Sequence, residues 1–163
     1  MAKKTVTITL SIADIKYDIQ DKTYLTGRSR YDGNNEELTA NMRANDDEEN
    51  LNQILRSVTN AFSNLKTFLA EYIVDLGITA DNKLLSSSTD LSLTLSLPSN
   101  FNESGRTTIA NGCHQYIVNS AISEWFLITN KADAADYATL AQNSLKVVRN
   151  AINRRTPPSQ PTA

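Results

Sequence analysis

The chain is poor in the residues that mark several special classes of protein. Its 163 residues include one cysteine, one histidine, five glycines and four prolines. A lone cysteine, Cys113, cannot form an intrachain disulfide, which excludes a disulfide-stabilised secreted scaffold. So little glycine and proline excludes collagen-like and low-complexity chains. No segment approaches the roughly 18 apolar residues of a transmembrane helix, and the N-terminus lacks a signal-peptide core. We therefore expect a soluble protein of a reducing compartment, without membrane contact.

Neither sign of charge dominates. Lys and Arg number 16 against 18 Asp and Glu, a formal net charge of −2. A domain whose whole surface binds nucleic acid is usually strongly basic, so that class is not favoured. Apolar residues at 40% and charged residues at 21% are typical of a folded globular chain. The length predicts a single domain, placed at residues 1–155, followed by a Pro-rich extended tail at 156–163.

Two segments alternate between apolar and polar residues, as half-buried strands do. Residues 5–12 alternate strictly, and the alternation resumes in the opposite phase as far as Ile19. Residues 89–97 repeat the pattern with leucine. The prediction is a small sheet formed by residues 5–19 and by residues 89–97, with a bulge, a bend or the start of a new element near Ala13-Asp14, between the two phases.

Three longer segments place apolar residues at three- and four-residue steps, the period of an amphipathic helix. They span about residues 46–76, 103–129 and 132–153. The first begins with four acids and is followed by Gly77, a common helix-terminating residue. The polar segment 23–45 is predicted to be a long loop of the kind that is often functional or ordered only by a partner. Together with the sheet, these helices predict an α+β fold.

Motifs that carry chemistry are scarce. Cys113 and His114 are neighbours on a predicted helix, where adjacent side chains diverge by about 100°, so a structural role is favoured for both over a nucleophile–base pair. No second cysteine or histidine completes a zinc site. Gly27 and Gly33 fit no phosphate-binding motif, and the acidic runs lack the spacing of a calcium loop or an acid–base pair. We therefore expect no enzyme, no cofactor and no metal.

Charged clusters at two helix ends are candidates for contacts with other proteins. Acids at a helix start and bases at a helix end also complement the helix dipole, so a purely structural role stays open. The alternative is that acids of one subunit meet bases of the next across a ring. Of two adjacent aromatic residues near the end of the second helix, one is expected to face an interface. The candidates are Asp46, Asp47, Glu48, Glu49, Phe126, Arg149, Arg154 and Arg155.

The C-terminal part contains a characteristic series of features. One helix ends with Trp125-Phe126 and Thr129-Asn130, the next opens with acids and alanines and carries Tyr137, and residues 154–158 read Arg-Arg-Thr-Pro-Pro. Over roughly residues 115–158 this series resembles small neck, ring and tail proteins of short-tailed, crAss-like bacteriophages. The resemblance implies a non-enzymatic virion subunit, assembled in the host cytoplasm, that forms a homo-oligomeric ring in the head-to-tail connection. Its partners would be its own copies and other phage structural proteins; DNA contact is not predicted.

A second interpretation stays open, namely a small adaptor or regulatory module that binds a protein partner through the 23–45 loop. The two interpretations differ in self-association. The ring interpretation expects the N-terminal strand region and the 23–45 loop to contact neighbouring subunits, because residues 5–19 contain more strand than a two-strand sheet can pair.

Overall fold

The computed structural model describes residues 2–74 and 80–161. The class is α+β, as the sequence predicts. The first half contains strand β1 (Lys4–Leu10) and helices α1 (Ile12–Ser29), α2 (Glu36–Asn41) and α3 (Glu48–Phe68). The second half contains strand β2 (Leu91–Leu97), a 3₁₀ turn (Glu103–Gly105) and helices α4 (Arg106–Thr129) and α5 (Lys131–Ile152).

The two strands form an antiparallel pair whose register runs from Lys4 opposite Leu97 to Leu10 opposite Leu91. Their apolar side chains are buried and the intervening threonines and serines are mostly exposed, which is the pattern that alternation predicts. Residues 72–74 add hydrogen bonds on the other side of β2: the amide of Ser96 donates to the carbonyl of Tyr72 over 2.7 Å. The strands predicted near 5–10 and 89–97 are confirmed.

The prediction that the strand region continues to Ile19 is wrong. Ser11 caps a helix by accepting from the amide of Asp14 over 3.3 Å, and the chain is helical from there to Ser29. The phase change marks the start of a new element, a helix, which is one of the three alternatives that the sequence leaves open there. Because α1 begins at Ile12, directly after β1 and Ser11, the surplus strand expected to join neighbouring subunits does not exist.

The long loop predicted at 23–45 is also wrong in most of its length. Helix α1 continues through it to Ser29, and α2 occupies six of its later residues. The buried positions of α1 recur at three- and four-residue steps; they are Ile12, Ile15, Ile19, Thr23 and Gly27. The helical period was masked because two of these five residues are a threonine and a glycine.

The three long helices are confirmed with changed bounds. Helix α3 ends at Phe68, earlier than predicted, and the chain then turns so that Ile73 bridges to Leu95. Leu76 and Gly77, the predicted end of this helix, lie outside the described residues. Helices α4 and α5 match the predicted ranges to within about three residues.

Helix α4 lies at the centre of the molecule and packs against α1, α3, α5 and β1. Buried residues therefore occur on several sides of it. Its closest neighbour is α5. A Cβ atom added at Gly112 would lie 2.6 Å from Cγ2 of Val148, so the absence of a side chain at Gly112 permits the approach. The centre of the core is thus an interhelical contact rather than the sheet.

The expectation that Phe126 faces an interface is wrong. Its side chain has no exposed surface, and its ring meets that of Tyr137 edge-on, with centroids 5.4 Å apart. The adjacent Trp125 is buried as well. A helix packed on several sides buries two consecutive aromatic residues, and for that reason adjacency does not indicate an outward-facing ring.

The core position of Leu65 gives a stability prediction. The sequence predicts Phe62, Leu65 and Leu69 to be buried against the third long helix and the second strand. Leu65 and Leu69 are buried, whereas Phe62 is only partly buried and α3 packs mainly on α4. Leu65→Ala should lower the free energy of unfolding by about 2–5 kcal/mol, through lost transfer energy and a cavity.

Urea denaturation followed by circular dichroism measures this loss. Phe62→Ala is the matched comparison and should cost less, because its ring is already partly solvated. A loss below about 1 kcal/mol for Leu65→Ala would show that this face of α3 is not core.

Candidate functional site

A groove of about 520 Å³ opens on the surface between α1 and α2. One wall comes from α1 and the residues just after it, and the other from α2 and the chain that follows. The lining residues are Tyr24, Arg28, Tyr31, Glu36, Thr39, Ala40, Arg43 and Asn45. Aromatic rings, guanidinium groups and amides are therefore concentrated on one exposed face.

The two walls lie close together because α1 carries glycine at the crossing point. A Cβ atom added at Gly27 would lie 2.7 Å from the carbonyl oxygen of Thr39 and 3.3 Å from Cβ of Met42. No real Cβ tolerates the first distance, so any other residue at Gly27 would push α2 outward. The two walls of the groove can therefore lie this close together only because residue 27 has no side chain.

Buried hydrogen bonds fix the chain that leaves α2. The amide of Ala44 donates to the hydroxyl of Thr23 over 3.1 Å, and the indole nitrogen of Trp125 donates to the carbonyl of Met42 over 2.8 Å. Both bonds are buried, so leaving either partner unpaired would cost about 1–3 kcal/mol. The chain that carries the lining residues Arg43 and Asn45 is thereby attached to α1 and α4.

Tyrosine rings form the accessible surface of the groove. Tyr24 is 41% exposed and Tyr31 is 54% exposed. The guanidinium of Arg43 lies over the Tyr24 ring, 4.9 Å from its centroid, and holds that ring in place. The hydroxyl groups, the guanidiniums of Arg28 and Arg43, and the Asn45 amide make the groove rich in hydrogen-bond donors.

An ion pair anchors the end of α1 to the start of α5. Arg30 donates two hydrogen bonds to the carboxylate of Asp133, which is buried, and Asn130 donates to the same carboxylate over 2.5 Å. The bond from Arg30 is the largest cause of a lowered Asp133 pKa, and burial opposes it. Asp133 thus acts as a charged anchor between the end of α1 and the start of α5.

The predicted acidic cluster begins at the rim of this groove. Asp46 follows Asn45 directly, and its carboxylate binds Gln20 over 2.8 Å and Lys16 over 3.2 Å within the chain. These hydrogen bonds, the one from Gln20 first, lower its pKa. Asp47 precedes α3, and Glu48 and Glu49 form its first turn, all three exposed. Their position fits the helix-dipole interpretation and leaves three carboxylates facing solvent.

The predicted basic cluster lies at the far end of α5. The guanidinium of Arg149 lies 4.8 Å from the centroid of the Phe68 ring, and Arg154 is exposed. Arg155 donates to the carbonyl of Ile152 over 2.8 Å, and its backbone bridges to Phe101. In the described part of the chain, no ion pair joins this cluster to the acids at 46–49.

Cys113 and His114 are held in different surroundings. Cys113 is fully buried, and desolvation raises its pKa to about 12, so the thiol is neutral. His114 instead places Nε2 2.6 Å from Oδ2 of Asp18 on α1. Within residues 2–74 and 80–161, no three side chains of the metal-binding types are grouped, and no helix has the length and apolar character to cross a bilayer.

The sequence does not predict the groove, because the polar composition of residues 23–45 is typical of a loop. One signal is present in the sequence: Tyr17, Tyr24 and Tyr31 recur every seven residues, a spacing typical of a helix. In the structure Tyr17 and Tyr24 lie on α1, Tyr31 follows its end, and all three rings are exposed. Tyr24 and Tyr31 line the groove, whereas Tyr17 lies outside it.

Gly27→Ala tests the close approach of the two helices. In an ordinary helix interior, alanine is favoured over glycine by about 1 kcal/mol. Here the clash with Thr39 should reverse the sign and lower stability by about 1–3 kcal/mol. Urea denaturation provides the measurement. Asp21→Ala, at an exposed position of the same helix, is the control and should change stability by less than about 0.5 kcal/mol. Increased stability of Gly27→Ala would contradict the crossing geometry.

The Arg30–Asp133 pair predicts a pH-dependent stability. Because the folded pKa of Asp133 is lowered, its contribution is complete above the unfolded value near pH 4 and is lost as the pH falls below it. Asp133→Asn should therefore flatten the fall of the urea midpoint between about pH 5 and pH 3. The exposed Asp21→Asn is the control and should retain the full slope. An unchanged slope in Asp133→Asn would show that another acid carries it.

No protein-family model, curated protein or solved structure matches the chain. Its function is therefore inferred from the surfaces described above. Among them the groove combines exposed aromatic rings with hydrogen-bond donors, and buried contacts to α1 and α4 hold the chain that carries Arg43 and Asn45 in position.

Proposed function

We propose that this protein is a non-enzymatic structural subunit of a phage virion, which forms a closed homo-oligomeric ring in the head-to-tail connection. The observation that supports the proposal is that the chain carries two surfaces of different character, the groove and the basic cluster, at opposite ends of α5. The α1–α2 groove lies beside the start of α5, and the basic cluster lies at its end.

The groove has the composition of an interface. Tyrosine and arginine are enriched in the buried centres of protein interfaces and among the residues that dominate binding energy. Here two tyrosines and two arginines line one groove, and Leu38 on α2 is 63% exposed as well. The tyrosine rings and the Leu38 side chain expose apolar surface, and burial of that surface against a partner would be favourable.

Two unlike surfaces on one chain favour a head-to-tail assembly. When one surface of each copy binds the other surface of the next, the assembly closes into a ring if the rotation between copies completes a circle. A two-fold dimer would occupy both surfaces only through two reciprocal contacts, in which each copy binds the other at the same time. The mass of the assembly distinguishes such a dimer from a ring, and the resemblance favours the ring.

The resemblance at residues 115–158 supports the virion assignment. Two of its residues take part in the architecture around the groove: Trp125 hydrogen bonds to Met42 beneath it, and Tyr137 donates to or accepts from Thr26 on α1 over 2.8 Å. The expected partners are further copies of the chain and the neighbouring ring and tail proteins. Contact with DNA is not part of the proposal.

An adaptor that binds one foreign protein is the second candidate, because a single groove would serve it. The two functions differ in the mass of the pure protein. Size-exclusion chromatography with light scattering should give one species of fixed mass, several times that of the 18.0 kDa chain, with rings in negative-stain images. A monomer at every concentration would contradict the ring and favour the adaptor.

Salt should weaken this assembly. The acids and bases that would meet between subunits are exposed, and exposed charges are screened over about 8 Å at physiological ionic strength. The midpoint concentration for assembly should therefore rise with added sodium chloride. Replacing Glu48 and Glu49 with glutamine should reduce that salt dependence. Replacing Asp14 and Asp90, two exposed acids outside the groove and the acidic run, with asparagine is the matched control.

A further inference from the structure

We propose that residues 156–161 of one subunit bind in the α1–α2 groove of the next subunit, through proline rings packed on Tyr24 and Tyr31. The inference rests on the proposed ring and names the contact that would close it.

The segment has the character of a polyproline II ligand. It reads Thr-Pro-Pro-Ser-Gln-Pro, with Pro158 and Pro161 three residues apart. A polyproline II helix has three residues per turn, so these two rings lie on one edge. Residues 157–161 are exposed and belong to no helix or strand, and proline reduces the entropy that binding would cost. The segment is therefore exposed and conformationally restricted, as a ligand of an extended groove should be.

Hydrogen-bonding capacity is complementary between segment and groove. Three of the six residues lack an N–H group, so the segment presents mainly carbonyl acceptors. The groove presents mainly donors: two tyrosine hydroxyls, two guanidinium groups and the Asn45 amide. Aromatic-lined grooves that bind PxxP segments combine ring packing with donors to the carbonyls in the same way.

Charge is complementary at the borders of the contact. The segment itself is uncharged, which suits a groove containing Arg28, Arg43 and Glu36. Arg154 and Arg155 directly precede the segment, and the acids at 46–49 directly follow Asn45 on the groove rim. Binding would bring these opposite charges together, with the free carboxylates of residues 47–49 facing arginines of the neighbour. The carboxylates of this rim would repel the phosphate groups of a nucleic acid.

The geometry requires a second copy. Arg30, next to Tyr31, is paired with Asp133 at the start of α5, whereas Arg155 is fixed beside Phe101 beyond its end. The 22 residues of α5 span about 33 Å. The six residues from Thr156 to Pro161 reach at most about 22 Å. The segment therefore falls short of its own groove and binds in that of a neighbour, a contact that repeats from subunit to subunit.

Two complementary variants test the contact in the full chain. The groove variant carries Tyr24→Ala and Tyr31→Ala, and the segment variant carries Pro158→Ala and Pro161→Ala. All four side chains are exposed, so both variants should fold, as circular dichroism will verify. Each alone should lose the ring and sediment as a monomer. Tyr17→Ala, an exposed ring on α1 outside the groove, is the control and should retain the ring.

Mixing the two variants gives the sharper result. One partner keeps an intact segment and the other an intact groove, so a single contact forms and cannot repeat. Analytical ultracentrifugation of the mixture should show a complex of two chains and nothing larger. If both variants alone still form the complete ring, the inference is overturned while the ring proposal stands.

A peptide experiment separates the two proposals. A fluorescein-labelled peptide of residues 153–161 should saturate the segment variant, whose own groove is free. Adding Tyr31→Ala to that chain should weaken binding at least tenfold, and adding Tyr17→Ala should leave it unchanged. If the wild-type chain is monomeric but the peptide binds in this way, the ring fails and the groove assignment holds. No saturable binding, or displacement only by an oligonucleotide, overturns the groove assignment.

Discussion

The contact between α4 and α5 is the constraint on which the other elements depend. Gly112 lets the two helices approach to a distance that any Cβ would prevent, and Val148 fills the space. Once α5 covers one side of α4, its remaining sides receive α1, α3 and the strand β1. The small sheet then needs no second layer of its own, because a two-strand pair is stabilised by the helix against which it packs.

The packing of α1 and α5 on α4 also makes the groove rigid. Trp125 lies on the central helix and holds Met42, while the start of α5 holds Arg30 through Asp133. The two walls therefore cannot separate without breaking buried hydrogen bonds, whose unpaired groups are expensive to bury. A binding site on fixed elements loses less conformational entropy when a ligand binds. More of the interaction energy of a small contact therefore remains as binding free energy.

The parts of the fold that follow one unambiguous period could be predicted from the sequence. Residues 5–10 and 91–97 alternate without interruption, and the apolar positions of α5 recur at helical steps. Helix α1 could not be recognised in the same way. Ile15 and Ile19 are two alternating positions apart and also one helical turn apart, so both periods fit them. The buried hydroxyl of Thr23 and the glycine at 27 then removed the apolar signal that would have continued the helix.

The candidate site was hidden for a related reason. Tertiary contacts decide whether Phe126 points inward, and its exposed neighbours Leu127 and Ile128 are themselves apolar, so hydropathy does not separate the buried side of α4 from the solvated one. The charged residues were found because charge is visible in sequence, yet their relation to the groove depends on α2, which only packing against Gly27 places. Asp46 is an example: its charge is visible in the sequence, but its partners Lys16 and Gln20 lie on a helix that the sequence pattern does not predict.

Charge and aromatic surface have separate roles in a contact of this kind. Exposed ion pairs contribute little net affinity, about 0–1 kcal/mol each, but they select the orientation of approach. Tyrosine rings and proline rings supply the buried area, and the carbonyl-to-donor bonds set the register along the groove. A single contact of this size is weak. In a closed ring each subunit makes two, and losing one leaves the chain held by the other at a high effective concentration, so closure supplies the stability that one short segment cannot.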